Sequence, residues 1–97
     1  MAKQPVVYIL ANQKRGTLYI GVSSNLVARI WQHRNQSAAG FTSKYSVFKL
    51  VHYEFYASMP EAIQREKRLK KWKRCWKINL IEENNPGWED LWFQVIR

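Results

Sequence analysis

The amino-acid sequence predicts an α+β fold, and three features predict it. Two short β-branched and aromatic runs, Val6 to Leu10 and Thr17 to Val22, flank a polar stretch that ends in glycine, as the strands of an antiparallel hairpin do. A third such run, Val47 to Tyr56, lies further on. Between and after these runs the apolar residues change from strand spacing to the three-and-four spacing of helices. The 97 residues make one small domain that can bury only about 60–65% of its unfolded surface, with no internal repeat, low-complexity segment or linker to divide it.

Pro5 suits the start of the first strand. If the hairpin closes, Tyr8 and Tyr19 become near cross-strand neighbours, and facing positions would put their Cβ atoms about 5 Å apart. Taken alone, the pair is equally an aromatic contact within the sheet. Gly21, with Ser23 and Ser24, breaks the second run and supplies helix N-cap candidates, so a helix is expected from near Asn25 to near Arg34. On it Leu26, Val27, Ile30 and Trp31 sweep an apolar face, while Arg29 and His33 lie one turn apart on its flank. Core packing does not ask for that pair. Two potentially cationic side chains at this spacing repel slightly, and an anionic partner makes better sense of them.

The segment from Asn35 to Lys44 is rich in Gln, Ser, Ala, Gly and Thr and reads as a mobile surface loop of the kind that closes over substrates. Lys44 and Lys49 flank it and can touch phosphates, although a solvated lysine is the plainer reading of each. His52, in the third strand, reads as a core or surface histidine rather than a ligand. A second helix starts at Ser58-Met59-Pro60-Glu61: Ser58 can cap, Pro60 is tolerated in the first turn, and Glu61 holds the capping-box position. Projected at about 100° per residue, Ala62, Ile63, Leu69, Trp72 and Trp76 share one arc, and Glu66 falls inside it. A carboxylate there must be paired, protonated or bound to a cation, and a salt bridge to Arg or Lys is the purely structural explanation. Arg65, Lys67, Arg68, Lys70, Lys71, Lys73 and Arg74 form the outer face, either solvated or turned to a phosphate backbone. Trp76 to Ile81 continues or restarts the helix, and Asn84-Asn85-Pro86-Gly87 ends it. Trp88, Leu91, Trp92 and Ile96 form a last amphipathic segment, expected to cover the sheet or the helices.

Composition narrows the partners. Sixteen Lys and Arg against seven Asp and Glu give a net charge of +9, which favours a polyanion, nucleic acid foremost; its concentration in one helix argues against solubility as its only purpose. Five Trp and five Tyr must form much of the core. The single cysteine, Cys75, excludes an intramolecular disulfide or a multi-cysteine zinc site and is expected to be a buried or half-buried thiol. The apolar run near the start is too short for a secretory signal, and no window approaches the length of a membrane span. A cytoplasmic protein with no membrane partner is expected.

Val7-Tyr8-Ile9, then Tyr19-Ile20-Gly21, then Arg29 and His33 on the next helix and Glu66 on a later one form a constellation that resembles the GIY-YIG nuclease domain over nearly the whole chain. It is most similar to small standalone members related to the N-terminal nuclease domain of the bacterial excinuclease C subunit and to structure-specific endonucleases. The run from Glu61 to Trp72, and Lys77 to Leu91 with its Leu-Ile and Asn-Pro, add support. The first tripeptide departs from the pattern, keeping its tyrosine without the glycine-isoleucine pair, and the family's C-terminal asparagine has three candidates in Asn79, Asn84 and Asn85.

The resemblance implies a three-stranded antiparallel sheet flanked by helices, forming one nuclease domain over residues 1–97, and hydrolysis of a DNA phosphodiester with one Mg²⁺ or Mn²⁺. Carried over residue by residue, it makes Glu66 the metal-binding glutamate and Tyr8, Tyr19, Arg29 and His33 the other catalytic residues. Arg29 would stabilise charge on the phosphate through its planar fork, and the metal would act as a Lewis acid. Tyr8 is the favoured base, with Tyr19 and His33 assisting; a tyrosine with a pKa near 10 needs neighbouring cations to serve at neutral pH. Lys44, Arg65, Lys67, Arg68, Lys70, Lys71, Lys73 and Arg74 are the expected nucleic-acid contacts. Without an appended recognition domain, shape-selective or nonspecific cutting is expected, with branched, flapped or damaged DNA and a part in DNA repair among the candidates and a protein partner left open. The alternatives are a catalytically weak nucleic-acid-binding module of the same fold and a protein-interaction adaptor that uses exposed tryptophans.

Overall fold

The computed structural model describes residues 4–35 and 46–96. Of the loop expected over residues 35–44 only Asn35 is among them, and Lys44 lies outside the described residues. Strand β1 (Val6–Ala11) pairs with β2 (Leu18–Ser23) as the expected antiparallel hairpin, and β3 (Lys49–Phe55) pairs antiparallel with the other side of β1, so the sheet order is β2-β1-β3. The third strand is shorter at both ends than its apolar run. Its register against β1 shifts between Ile9, opposite His52, and Leu10, opposite Leu50, a bulge that leaves Val51 as the extra residue.

As the middle strand, β1 is buried on both faces. Val7, Ile9 and Ala11 meet Ile20, Val51, Ala62, Leu69, Ile81 and Trp88 on one side, where α2 (Met59–Lys71) and α3 (Arg74–Asn84) lie. Val6, Tyr8 and Leu10 meet Leu26, Ile30, Val47 and Leu50 on the other, under α1 (Leu26–Arg34) and the short α4 (Trp92–Val95). Period-two alternation on a strand sandwiched this way explains why its six residues read as an unbroken apolar run.

Local chemistry sets the helix starts. Asn25 itself caps α1 through its side chain to the Ala28 amide, and Ser23 serves one step earlier by accepting from the Asn25 amide, so neither Ser23 nor Ser24 is the cap. Ser58 and Glu61 form the expected capping box. Trp31, expected on the apolar face of α1, is 54% exposed because that face is centred on Leu26, Ile30 and His33. The second helix stops at Lys71: Trp72 and Lys73 are extended, and α3 restarts at Arg74. This break divides the run of like charges, which would weaken one continuous helix, and returns Ile78, Leu80 and Ile81 to the core that holds Ala62 and Leu69. Trp76 therefore leaves the arc expected for it and is exposed, as is Cys75.

In the last segment only Trp92–Val95 is helical. Trp88 is fully buried outside any helix, with a φ of 53° and its indole N–H donating to Glu82. Asn85 fastens the turn by donating to the Val51 and Glu89 carbonyls and accepting from the Glu89 amide. Asp90 accepts from Arg34 (2.6 Å), from the Leu50 amide and from the Trp92 amide, tying α1, β3 and α4 together.

A second polar node lies between β3 and α2. Glu54 accepts from His52 Nε2 (2.7 Å), Tyr56 Oη (2.7 Å) and both Arg65 Nε (2.9 Å) and Nη2 (3.2 Å). Burial pushes the Glu54 carboxyl up, but the hydrogen bonds from His52, Arg65 and Tyr56 outweigh it and hold the group far below the usual carboxylate range. A depressed native pKa contributes stability that is complete above the unfolded value of 4.5 and is lost as pH falls below it toward the native value. Glu54→Gln should therefore cost about 2 kcal/mol at pH 7. Urea unfolding at a series of pH values should show the gap between wild type and variant narrowing below pH ~4.5.

Candidate active site

The candidate residues start from the middle strand. Tyr8, 1% exposed, lies opposite Gly21 in the sheet, while Tyr19 lies opposite Leu10. The tyrosines are thus diagonal neighbours on one face rather than facing partners, with ring centroids 6.4 Å apart. Gly21 belongs to β2 instead of ending it, and its role is spatial: a Cβ there would fall 2.5 Å from Cζ and 2.9 Å from Cε2 of the Tyr8 ring. The missing side chain lets the Tyr8 ring lie flat across β2.

Helix α1 then delivers His33, 3% exposed, to the same place. Its Nε2 is 3.1 Å from the Tyr8 hydroxyl, and its ring centroid is 5.9 Å from Tyr8 and 5.4 Å from Tyr19, so the three rings form a triangle. One turn earlier, Arg29 is exposed and has no ion-pair partner among the described residues. Its charge nevertheless reaches both Tyr8 and His33. Burial, and after it the Arg29 charge, lowers the His33 pKa and favours a neutral imidazole. Burial also pushes the Tyr8 hydroxyl well above its ordinary value, helped by Tyr19 and Glu66 and opposed by Arg29. The Tyr8–His33 bond therefore joins two neutral groups that share a single bonding proton, its direction set by the imidazole tautomer.

Glu66 comes from α2, whose buried residues pack on the opposite face of the sheet, yet its charge registers at Tyr8. Its side chain is 15% exposed, and Lys70, one turn on, approaches it at 3.4 Å. No group of three or more His, Cys, Asp and Glu gathers among the described residues. A lone carboxylate still suits Mg²⁺ or Mn²⁺, since Mg²⁺ is commonly held by one or two carboxylates and completes its shell with water and substrate phosphate oxygens. On the chemistry of its donor, Glu66 fits that role.

The expected nucleic-acid contacts divide. Lys67, Arg68 and Lys71 are exposed along α2. Arg65 is engaged by Glu54 and lies over the Trp72 ring, while Arg74 donates to the carbonyls of Arg15 and Gly16 in the β1–β2 turn. Lys73 lies over Trp76 and Lys70 pairs with Glu66. The Glu66–Lys70 pair was legible as a four-residue spacing on a helix, a signal masked by the density of surrounding lysines. Asn79 and Asn84 are exposed, and the buried Asn85 fastens the last turn, away from the tyrosine triangle.

The class to which this fold belongs is that of the GIY-YIG catalytic domain, whose family model matches residues 4–79. The chain belongs to the GIY-YIG family, a nuclease-type family whose members generally use divalent metals and whose activity implies a nucleic-acid substrate. Within it the chain is similar to the small UPF0213 proteins. It is 39% identical over 79 residues to one from Clostridium perfringens, covering 81% of this chain and 84% of that one. It is 37% identical over 83 residues to one from Staphylococcus haemolyticus, covering 86% and 99%. The solution NMR structure of a UPF0213 protein from Bacillus halodurans superposes with a TM-score of 0.56 at 29% identity, covering 90% of this chain and 92% of that one. No helix among the described residues is long and apolar enough to cross a membrane.

Two substitutions probe this geometry. Gly21→Ala should displace the Tyr8 ring and cost about 1–3 kcal/mol in urea unfolding, with a shift of the His33 ring resonances. Arg29→Gln removes a cation that opposes imidazole protonation, so the His33 titration followed by NMR should move to higher pH while burial still holds it below 6.5.

Proposed function

We propose that the chain is a metal-dependent endonuclease acting on DNA. The observation that carries this reading is the convergence at one tyrosine hydroxyl: Tyr8 bonds His33, neighbours Tyr19, and feels the charges of both Arg29 and Glu66. A core tyrosine needs one hydrogen-bond partner to be satisfied. It has no structural use for an exposed arginine on one side and a carboxylate on the other.

In this reading Glu66 holds one Mg²⁺ or Mn²⁺, which supplies Lewis-acid charge to the phosphate when bound. Arg29 grips the nonbridging oxygens and stabilises the charge they gain as water attacks phosphorus and one ester P–O bond breaks. Tyr8 takes the proton from that water, and Tyr19 orients the attacking group. The raised pKa of Tyr8 in the free protein makes it a poorer base than an ordinary tyrosine. Its ionisation waits for added positive charge, and His33, held neutral, is the nearby acceptor for its proton. Exposed Lys67, Arg68 and Lys71 extend the contact along the backbone, which favours substrate shape over sequence, with branched or flapped DNA as the leading substrates.

Two observations favour the second reading, a nucleic-acid-binding module with weak catalysis: the hydroxyl of Tyr8 is pushed up and Glu66 is already paired with Lys70. Cleavage of a labelled panel of duplex, single-stranded, flapped and branched DNA, with and without Mg²⁺ or Mn²⁺, separates the two. Wild type should cut only with metal. Arg29→Ala should cut about 10²- to 10³-fold more slowly, and Glu66→Ala should lose the metal-dependent reaction, both remaining folded and bound to DNA. Salt-dependent binding with no cutting of any substrate would establish the binding module instead.

A further inference from the structure

We propose that Lys70 keeps the place of the divalent cation on Glu66 in the free protein and moves to a nucleic-acid phosphate when that cation binds. The inference rests on the reading of Glu66 as the metal-holding residue. Lys70 Nζ lies 3.4 Å from Glu66 Oε2, and the two side chains differ sharply in exposure, 56% for the lysine and 15% for the carboxylate. A helical pair with one solvated member is weak and easily exchanged. An ammonium and a divalent ion would also repel each other strongly at one carboxylate.

The displaced ammonium has somewhere to go. Lys70 borders a shallow cavity of about 310 Å³ together with Leu18, Tyr19 and Ile20 of β2 and Lys77 of α3. Lys77 Nζ lies 3.4 Å from the Lys70 carbonyl oxygen, which brings a second ammonium to the same corner. No carboxylate is among the described residues that line this cavity. Two cations and a tyrosine edge around an open hollow suit a phosphate, and because Tyr19 belongs to both places, that phosphate neighbours the one under attack. Lys70 thereby couples the two sites: a cation on Glu66 frees it for phosphate, and phosphate drawing it away leaves Glu66 open to the cation, as linkage requires.

The test combines Mn²⁺ binding followed by calorimetry with the salt dependence of binding to a short DNA duplex, for wild type, Lys70→Gln, Glu66→Gln and the double variant, each checked for an unchanged fold by NMR. Lys70→Gln should bind Mn²⁺ alone about threefold more tightly or better, and Glu66→Gln should lose that binding. In wild type, on a duplex with cleavage-resistant phosphorothioate linkages, the log–log salt slope should include a Lys70 contribution of about 0.9 with Mn²⁺ present and little without it. On the Glu66→Gln background, Lys70 should contribute without any metal. If Glu66→Gln loses Mn²⁺ binding but Lys70→Gln does not tighten it, or if Lys70 contributes equally to the slope with and without Mn²⁺, the placeholder role is overturned and the metal assignment stands. If Glu66→Gln binds Mn²⁺ as wild type does, the assignment of Glu66 falls and this inference falls with it.

Discussion

A tyrosine in the middle strand of a sheet covered on both faces has to find a partner for its hydroxyl inside the protein, and much of the described structure follows from how Tyr8 meets that demand. The ring needs a flat bed, which only a residue without a side chain at position 21 leaves open. The hydroxyl needs a polar group, which fixes the rotation of α1 so that His33 points inward beside Leu26 and Ile30. That rotation carries Arg29 to the flank, where it stays solvated and within electrostatic reach of both rings. The same rotation turns Trp31 outward. One buried oxygen thus organises a glycine of the next strand and a histidine and an arginine of the helix that follows it.

What could be read from the residues follows the reach of the forces involved. The hairpin, the third strand and the capping box at Ser58 depend on neighbours within a few positions and were legible as local patterns. Among the candidate site residues, Arg29, His33 and Glu66 stand out because their types sit oddly on their helix faces, whereas Tyr8 and Tyr19 look ordinary in their strands and are singled out by the resemblance. The positions that misled belong to longer-range choices. Trp76 sits in an arc that would be buried on a continuous helix, and Cys75 reads as a buried or half-buried thiol, but two extended residues at Trp72 and Lys73 end the helix, and the sequence there contains neither proline nor glycine to announce the break. Trp88 reads as part of a last amphipathic segment that covers the core, and it does so, but the left-handed backbone and the hydrogen bond to Glu82 that hold it there have no signal in the sequence.

The surplus of positive charge is also less uniform than a count suggests. Acidic groups are few, and among the described residues four of them each hold a basic one: Glu82 holds Arg15, Glu54 holds Arg65, Asp90 holds Arg34, and Glu66 holds Lys70. Three of these pairs join separate elements and serve architecture. The fourth lies within one turn of one helix and joins nothing, so its value to the fold is small. An ion pair that costs the structure little to break is the kind a ligand can take over.

The contacts of Asn85, Asp90 and Leu91 have a different consequence. They occupy the outward-facing backbone groups of Leu50 and Val51, the stretch of β3 where a further strand would otherwise dock. An open strand edge is a template for pairing with any extended chain, another copy of the same protein included. By laying this turn along part of β3, a small protein with several exposed aromatic rings denies its neighbours that stretch of edge as a place to begin a shared sheet.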